Sequence, residues 1–253
     1  MSFQRFVALG DSFTEGVGDP APELPNGVRG WADRVAAELS RLDPASEYAN
    51  LAIRGRKLGP IVAEQIDAAI ALRPDLVSIY AGANDILRLS VDLDALLDEY
   101  DAAIARLTQS GATVVMFTAH DPGDWPLFSA LRGRFAIYNE GVRGIADRHG
   151  ATIVDFWRIP DYRDRRLWAF DRLHMSSIGH QRMAIAVLEA LGIDHALTPM
   201  ELPAPTTPST VEQLSDNLAW ASGFAAPWLG RRLRGTSSGD GLAPRYPTPT
   251  PLP

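Results

Sequence analysis

A doubly wound α/β sheet, built mainly from five parallel strands, is the fold class that this sequence predicts. Three observations carry the expectation. Short runs rich in β-branched and aromatic residues recur along the first 195 residues; longer amphipathic segments separate them; and small polar residues cluster directly after the short runs. Buried parallel strands read as near-continuous apolar runs, and strand–helix alternation implies right-handed crossovers that cover both faces of one sheet.

In chain order the expected strands are Phe6–Leu9, Tyr48–Leu51, Leu76–Tyr80, Thr113–Thr118 and Thr152–Phe156. Each is bounded by turn-forming residues, as strands of this kind should be. The expected helices are Gly30–Ser40, Gly59–Leu72, Asp92–Ser110, Arg134–His149 and, after the last strand, Ser177–Leu191. A 2-1-3-4-5 strand order is the favoured arrangement of these units.

The composition changes after Leu191, so residues 1–195 are read as one α/β domain and 196–253 as an appendage. Ten of the 19 prolines lie beyond Ala196, and 198–208 reads as a proline-rich linker. Ser209-Thr210-Val211-Glu212 has capping-box spacing, and Val211, Leu214, Leu218 and Ala221 recur at helical intervals. This stripe is expected to pack on the α/β body. A weak contact of Trp228, Leu233, Arg231, Arg232 and Arg234 with a membrane surface or partner is the second reading. The Gly-, Ser-, Thr- and Pro-rich stretch from Gly235 to Pro253 is expected to be disordered.

A formal charge of −7 argues against a nucleic-acid binder, and the absence of cysteine excludes disulfides, thiolate metal sites and a cysteine nucleophile. No apolar run approaches the roughly 18 residues of a membrane span, and Met1–Arg5 has no leader character, so a cytoplasmic location is expected.

In open α/β sheets, ligands bind outside the carboxyl ends of the strands. Strand one is followed by Gly10-Asp11-Ser12, strand two by Asn50 and then Arg54-Gly55-Arg56, strand three by Gly82-Ala83-Asn84-Asp85, and strand four by His120-Asp121. An irregular stretch after strand five ends at Asp171-Arg172-Leu173-His174. These are the parts of nucleophilic acyl transfer. Ser12 needs a base to take its proton; His174 can be that base, with Asp171 fixing its tautomer. The amides of Ser12 and Gly55 and the side chain of Asn84 are the candidate oxyanion donors.

The constellation resembles the SGNH hydrolases, the GDSL esterase/lipase family. Gly10-Asp11-Ser12 with Gly16 matches its first block, Asn50 through Gly55 resembles the second, Gly82-Ala83-Asn84-Asp85 matches the third, and Asp171-Arg172-Leu173-His174 matches the last. Arg54 stands where a small residue is more common. The resemblance implies a flavodoxin-like three-layer α/β/α fold and hydrolysis of a small acyl ester, whose alcohol part could be a sugar or a lipid, with no metal or cofactor. An acyltransferase using the same intermediate, and a binding protein without turnover, are the alternative readings.

Other polar residues have simpler roles. Asp11 and Asp85 read as turn residues that accept from backbone amides rather than as metal ligands. His180 is expected to be packed or capping, and His149 to sit favourably at a helix C-terminus. His120 is a candidate lining residue of the substrate pocket, with Trp125 and Phe128 as candidate apolar walls.

Overall fold

The predicted alternation is realised element by element in the computed structural model, which describes residues 3–123, 128–205 and 209–251, the Arg232 side chain excepted. Trp125 and the Arg232 side chain therefore lie outside the described residues. Strand β1 (Arg5–Gly10) runs into the one-turn helix α1 (Ser12–Glu15) and then α2 (Trp31–Leu42). Strand β2 (Glu47–Asn50) precedes a helical stretch made of α3 (Leu58–Ile61), a π turn (Val62–Ile66) and α4 (Asp67–Ala71). Strand β3 (Leu76–Tyr80), α5 (Ala83–Ile86), α6 (Leu93–Gln109), β4 (Thr113–Phe117), α7 (Arg132–His149), β5 (Thr152–Val154) and α8 (Ser177–Ala190) complete the body.

The sheet order is β5-β4-β3-β1-β2, all parallel, as expected, with one strand added outside β2. Alternation along β1 sorts its side chains between two layers. Val7 and Leu9 join Ile79, Ile104 and Val142 on one face, whereas Phe6 and Ala8 join Trp31, Val35, Met183 and Leu188 on the other. The three-layer α/β/α arrangement follows from burying both faces of the parallel sheet. No helix among the described residues is long and apolar enough to cross a membrane.

The C-terminal region departs from expectation in two ways. First, the stretch expected to be disordered contains β6 (Tyr246–Pro251), which pairs antiparallel with β2 at the sheet edge. Proline-rich composition misled because Pro247 and Pro249 alternate with Tyr246, Thr248 and Thr250. In an edge strand alternate N–H groups point away from the neighbour, and a proline there gives up no ladder bond. Just before it, Arg245 is buried. Its guanidinium donates to both Asp33 carboxylate oxygens at 2.9 and 2.7 Å and to the carbonyls of Pro25, Glu15 and Arg29. Burial pushes the Asp33 carboxyl above its ordinary pKa, even against the hydrogen bond and charge of Arg245.

Second, the appended helix turns the other way round. It comprises α9 (Thr210–Trp220), a π turn (Ala221–Ala225) and α10 (Ala226–Leu233). The capping box forms: Glu212 N donates to Ser209 Oγ, and Ser209 N donates to Glu212 Oε2 at 2.7 Å. Yet Val211, Leu214 and Leu218, the stripe expected to face the body, are exposed (78, 61 and 63 %). Trp220, Phe224 and Trp228 face the body instead. Aromatic side chains offer more area to bury than the aliphatic stripe, and an indole N–H finds a partner there.

Candidate active site

Five loops meet at the carboxyl edge of the sheet, and β1 delivers Ser12. Asp11 caps α1 by accepting from Phe13 N at 3.0 Å. Phe13 then anchors the turn from below, its ring 4.3 Å from Tyr80 and 5.2 Å from Phe117. The hydroxyl of Ser12 is thus held by a cap on one side and an aromatic cluster on the other.

His174 arrives from the loop before α8. Its Nε2 lies 3.0 Å from Ser12 Oγ, and its Nδ1 lies 2.6 Å from Asp171 Oδ2. A carboxylate at that distance accepts from Nδ1–H, which leaves the Nε2 lone pair facing the serine hydroxyl. The second Asp171 oxygen accepts from the amides of Leu173 and His174, both at 2.9 Å. Burial works to raise the Asp171 carboxyl, but the His174 bond and charge with the two amides outweigh it and hold its pKa below the usual range. Closing this turn puts Arg172 at φ +59°, a left-handed conformation that costs a non-glycine residue about 1–3 kcal/mol. The C-terminal helix braces it. Trp220 Nε1 donates to the Asp171 carbonyl at 2.9 Å, and Arg172 both bonds Asn217 Oδ1 at 2.8 Å and lies over the Trp220 ring.

Asn84 follows β3 and lines the same cavity as Ser12. Its Nδ2 donates to Asp11 Oδ2 at 2.8 Å and to the Arg56 carbonyl at 3.0 Å, so it is aimed by two acceptors from two other loops. The preceding Gly82 sits at φ +84°, and a Cβ there would lie 2.3 Å from Tyr138 Oη. Only glycine brings the chain this close to α7 before it turns back toward Ser12.

Gly55 lines a neighbouring hollow that shares Asn84, not the cavity that holds Ser12. Its φ of +77° and the Ser237 side chain, 2.0 Å from a hypothetical Cβ, demand glycine for packing as well. Arg54, the departure from the family pattern, has a local reason: Arg54 Nη2 and N donate to the fully buried carboxylate of Glu15 at 2.7 and 2.6 Å. Glu15 lies on the Ser12 helix, so this ion pair ties the second block to the first. Sequence reading missed the pair because both residues seemed ordinary loop charges 39 positions apart.

The remaining assignments sort cleanly. Asp85 accepts from Leu58 N at 2.9 Å, a turn role as expected. His180 is buried: Trp31 N donates to its Nδ1 at 3.1 Å and its Nε2 donates to the Val17 carbonyl, and burial lowers its pKa to about 4. His149 pairs with Asp101 at 2.9 Å, a partner beyond the helix end. His120 does line the Ser12 cavity, where burial likewise lowers its pKa to about 4 and keeps it neutral. Phe128 lines it too. Burial raises the Asp11 carboxyl to about 7, against the Phe13 amide and the His174 charge.

The Ser12 cavity has a volume of about 70 Å³ and is walled by Tyr80, Phe135, Phe156, Trp168 and Met175, among others. It is narrow and mainly apolar.

The chain is also similar to known proteins. A model of the GDSL-like Lipase/Acylhydrolase family matches residues 8–182, which include all five strand-end motifs. An acetylxylan esterase of Geobacillus stearothermophilus is 27 % identical over 213 residues, 76 % of this chain and 96 % of that protein. The crystal structure of an alpha/beta hydrolase enzyme from the metagenome of Lake Arreo, Spain, superposes with a TM-score of 0.63 at 25 % identity, covering 76 % of this chain and 96 % of its own. A catalytic mutant of a G. stearothermophilus acetylxylan esterase gives a TM-score of 0.64 at 23 % identity over the same shares, a likeness of fold.

Proposed function

This chain belongs to the GDSL-like lipase/acylhydrolase family and is an ester-hydrolysing serine hydrolase, and we propose that it removes a short acyl group through an acyl-enzyme on Ser12. The observation that carries the reading is the chain of hydrogen bonds from Ser12 through His174 to Asp171 at the mouth of an apolar cavity. Ser12 Oγ bonds to the ester carbonyl carbon while its proton passes to His174 Nε2. The imidazolium that forms is stabilised by Asp171. Collapse of the tetrahedral intermediate breaks the bond to the alcohol oxygen, which takes the proton from His174. Water then repeats the sequence and frees the acid.

The negative charge on the carbonyl oxygen needs donors already in place. Asn84 Nδ2 already gives its two protons to Asp11 Oδ2 and the Arg56 carbonyl, so it serves as a donor by exchanging one of those bonds for one to the oxyanion; the amide of Ser12 and that of Gly55, which borders the adjoining hollow, are the other two donors proposed. The cavity beneath Ser12 supports a small acyl group. Its ring-bearing and thioether walls leave space for a few heavy atoms. The similarity to an acetylxylan esterase supports the same choice, with an acetylated sugar as one such ester.

Hydrolysis of 4-nitrophenyl esters of increasing chain length tests this reading. The acetate should be cleaved with a kcat/KM at least tenfold above that of the octanoate, and Ser12→Ala and His174→Ala should each abolish turnover. Equal rates across chain lengths would remove the short-acyl assignment. Full activity in Ser12→Ala would remove the nucleophile.

A further inference from the structure

A second hollow, of about 500 Å³, opens beside the Ser12 cavity. One wall is the 165–173 loop and the other is the C-terminal helix, which contributes Trp220, Phe224 and Trp228. Phe128 and Leu173 line both spaces, so the two adjoin, with His174 lining the narrow one. The narrow space suits the acyl group, which leaves the wide one on the side where the alcohol departs. Its size is that of a small-molecule site, and aromatic walls of this kind bury flat apolar surface well.

The hollow is not purely apolar. Arg165 and Arg172 line it, together with Asn217 and with Asp171, whose carboxylate is engaged by His174. Burial and the nearby charge of Arg165 lower the Arg172 pKa, with only Asp216 acting the other way. An anion that reaches both guanidinium groups would gain a charge-assisted hydrogen bond from each. The helical wall also lies beyond residues 8–182, so the shared family fold does not account for it.

We propose that this hollow is the leaving-group subsite, and that the preferred ester joins a short acyl group to a large, flat, apolar alcohol that carries a carboxylate. The proposal rests on Ser12 and His174 acting at the mouth of the narrow cavity, but the hollow's capacity to bind such an alcohol does not.

The test uses the full chain and three acetate esters: ethyl acetate, 2-naphthyl acetate and 6-acetoxy-2-naphthoate. Ratios of kcat/KM between esters, compared between wild type and variants, cancel the esters' intrinsic reactivity. Phe224→Ala/Trp228→Ala should lower the naphthyl-to-ethyl ratio about tenfold. Phe224→Trp, which narrows the hollow without removing its wall, should lower it as well. Arg172→Gln should lower the ratio of 6-acetoxy-2-naphthoate to 2-naphthyl acetate severalfold. In parallel, calorimetry should show 6-hydroxy-2-naphthoate binding to Ser12→Ala and binding about tenfold more weakly when the two aromatic substitutions are added. Unchanged ratios with unweakened binding would overturn the subsite, and a carboxylate that confers no advantage would overturn its anionic part. If no ester is cleaved but hydroxynaphthoate binds and the aromatic substitutions weaken it, the subsite stands and the catalytic reading falls instead.

Discussion

Replacing Arg245 with alanine should destabilise the protein by about 3–5 kcal/mol, the range for removing one partner of a buried ion pair. The guanidinium is wholly buried, and it meets both Asp33 oxygens and three backbone carbonyls. Without it, Asp33 keeps only the Tyr48 hydroxyl, at 3.0 Å, as a side-chain hydrogen-bond partner among the described residues. The sign of the pH dependence follows from the Asp33 pKa, which is already raised in the folded protein. A carboxyl with a raised folded pKa contributes its stability below the unfolded value and loses it as pH rises through the folded one. Removing Arg245 removes the hydrogen bond and charge that oppose burial, so the folded pKa rises further. The deficit of Arg245→Ala should therefore be larger at pH 8 than at pH 5.5. Urea unfolding followed by tryptophan fluorescence measures both quantities, and Asp33→Asn/Arg245→Met should recover much of the loss because no charge is left stranded. A deficit below about 1 kcal/mol, or one indifferent to pH, would refute the reasoning that a buried pair clamps the start of β6 to the body.

Three further outcomes are expected. Asp171→Asn keeps an oxygen for the Leu173 and His174 amides but presents an NH2 to His174 Nδ1, which forces the ring proton toward Ser12; kcat should fall by about 10⁴ with the fold intact by circular dichroism. Asn84→Ala should lower kcat by about 100- to 1000-fold with little change in KM, as measured by steady-state ester hydrolysis. Asp11, raised from 3.8 to about 7, opposes folding increasingly as pH climbs through that interval. Between pH 5 and pH 8 the wild type should lose about 2.5 kcal/mol more stability than Asp11→Asn in paired urea titrations.

Much of the fold was legible because its signals are local. β3 is the run Leu76–Tyr80 as expected, and α8 begins where Ser176 caps it. The candidate site residues were legible because the topology puts every strand end on one rim, so that Ser12 and His174, 162 positions apart, could be paired by place in the fold. What stayed hidden depends on long-range partners. Glu15 with Arg54 and Asp33 with Arg245 are unremarkable charges until the chain folds them together and buries them. The end of the chain was misread because proline content speaks for disorder in general, whereas an edge strand accepts prolines at alternate positions. The C-terminal helix was misread because its aliphatic stripe is regular, while the buried face is set by three aromatics spread across a π turn.

The central claim is that Ser12 is a nucleophile activated by His174. Treating the native protein with a fluorophosphonate and mapping the adduct by peptide mass spectrometry tests it directly. The account predicts a single adduct on the peptide containing Ser12, absent from Ser12→Ala and formed far more slowly in His174→Ala. An adduct on another residue, or equal labelling of Ser12→Ala, would contradict it.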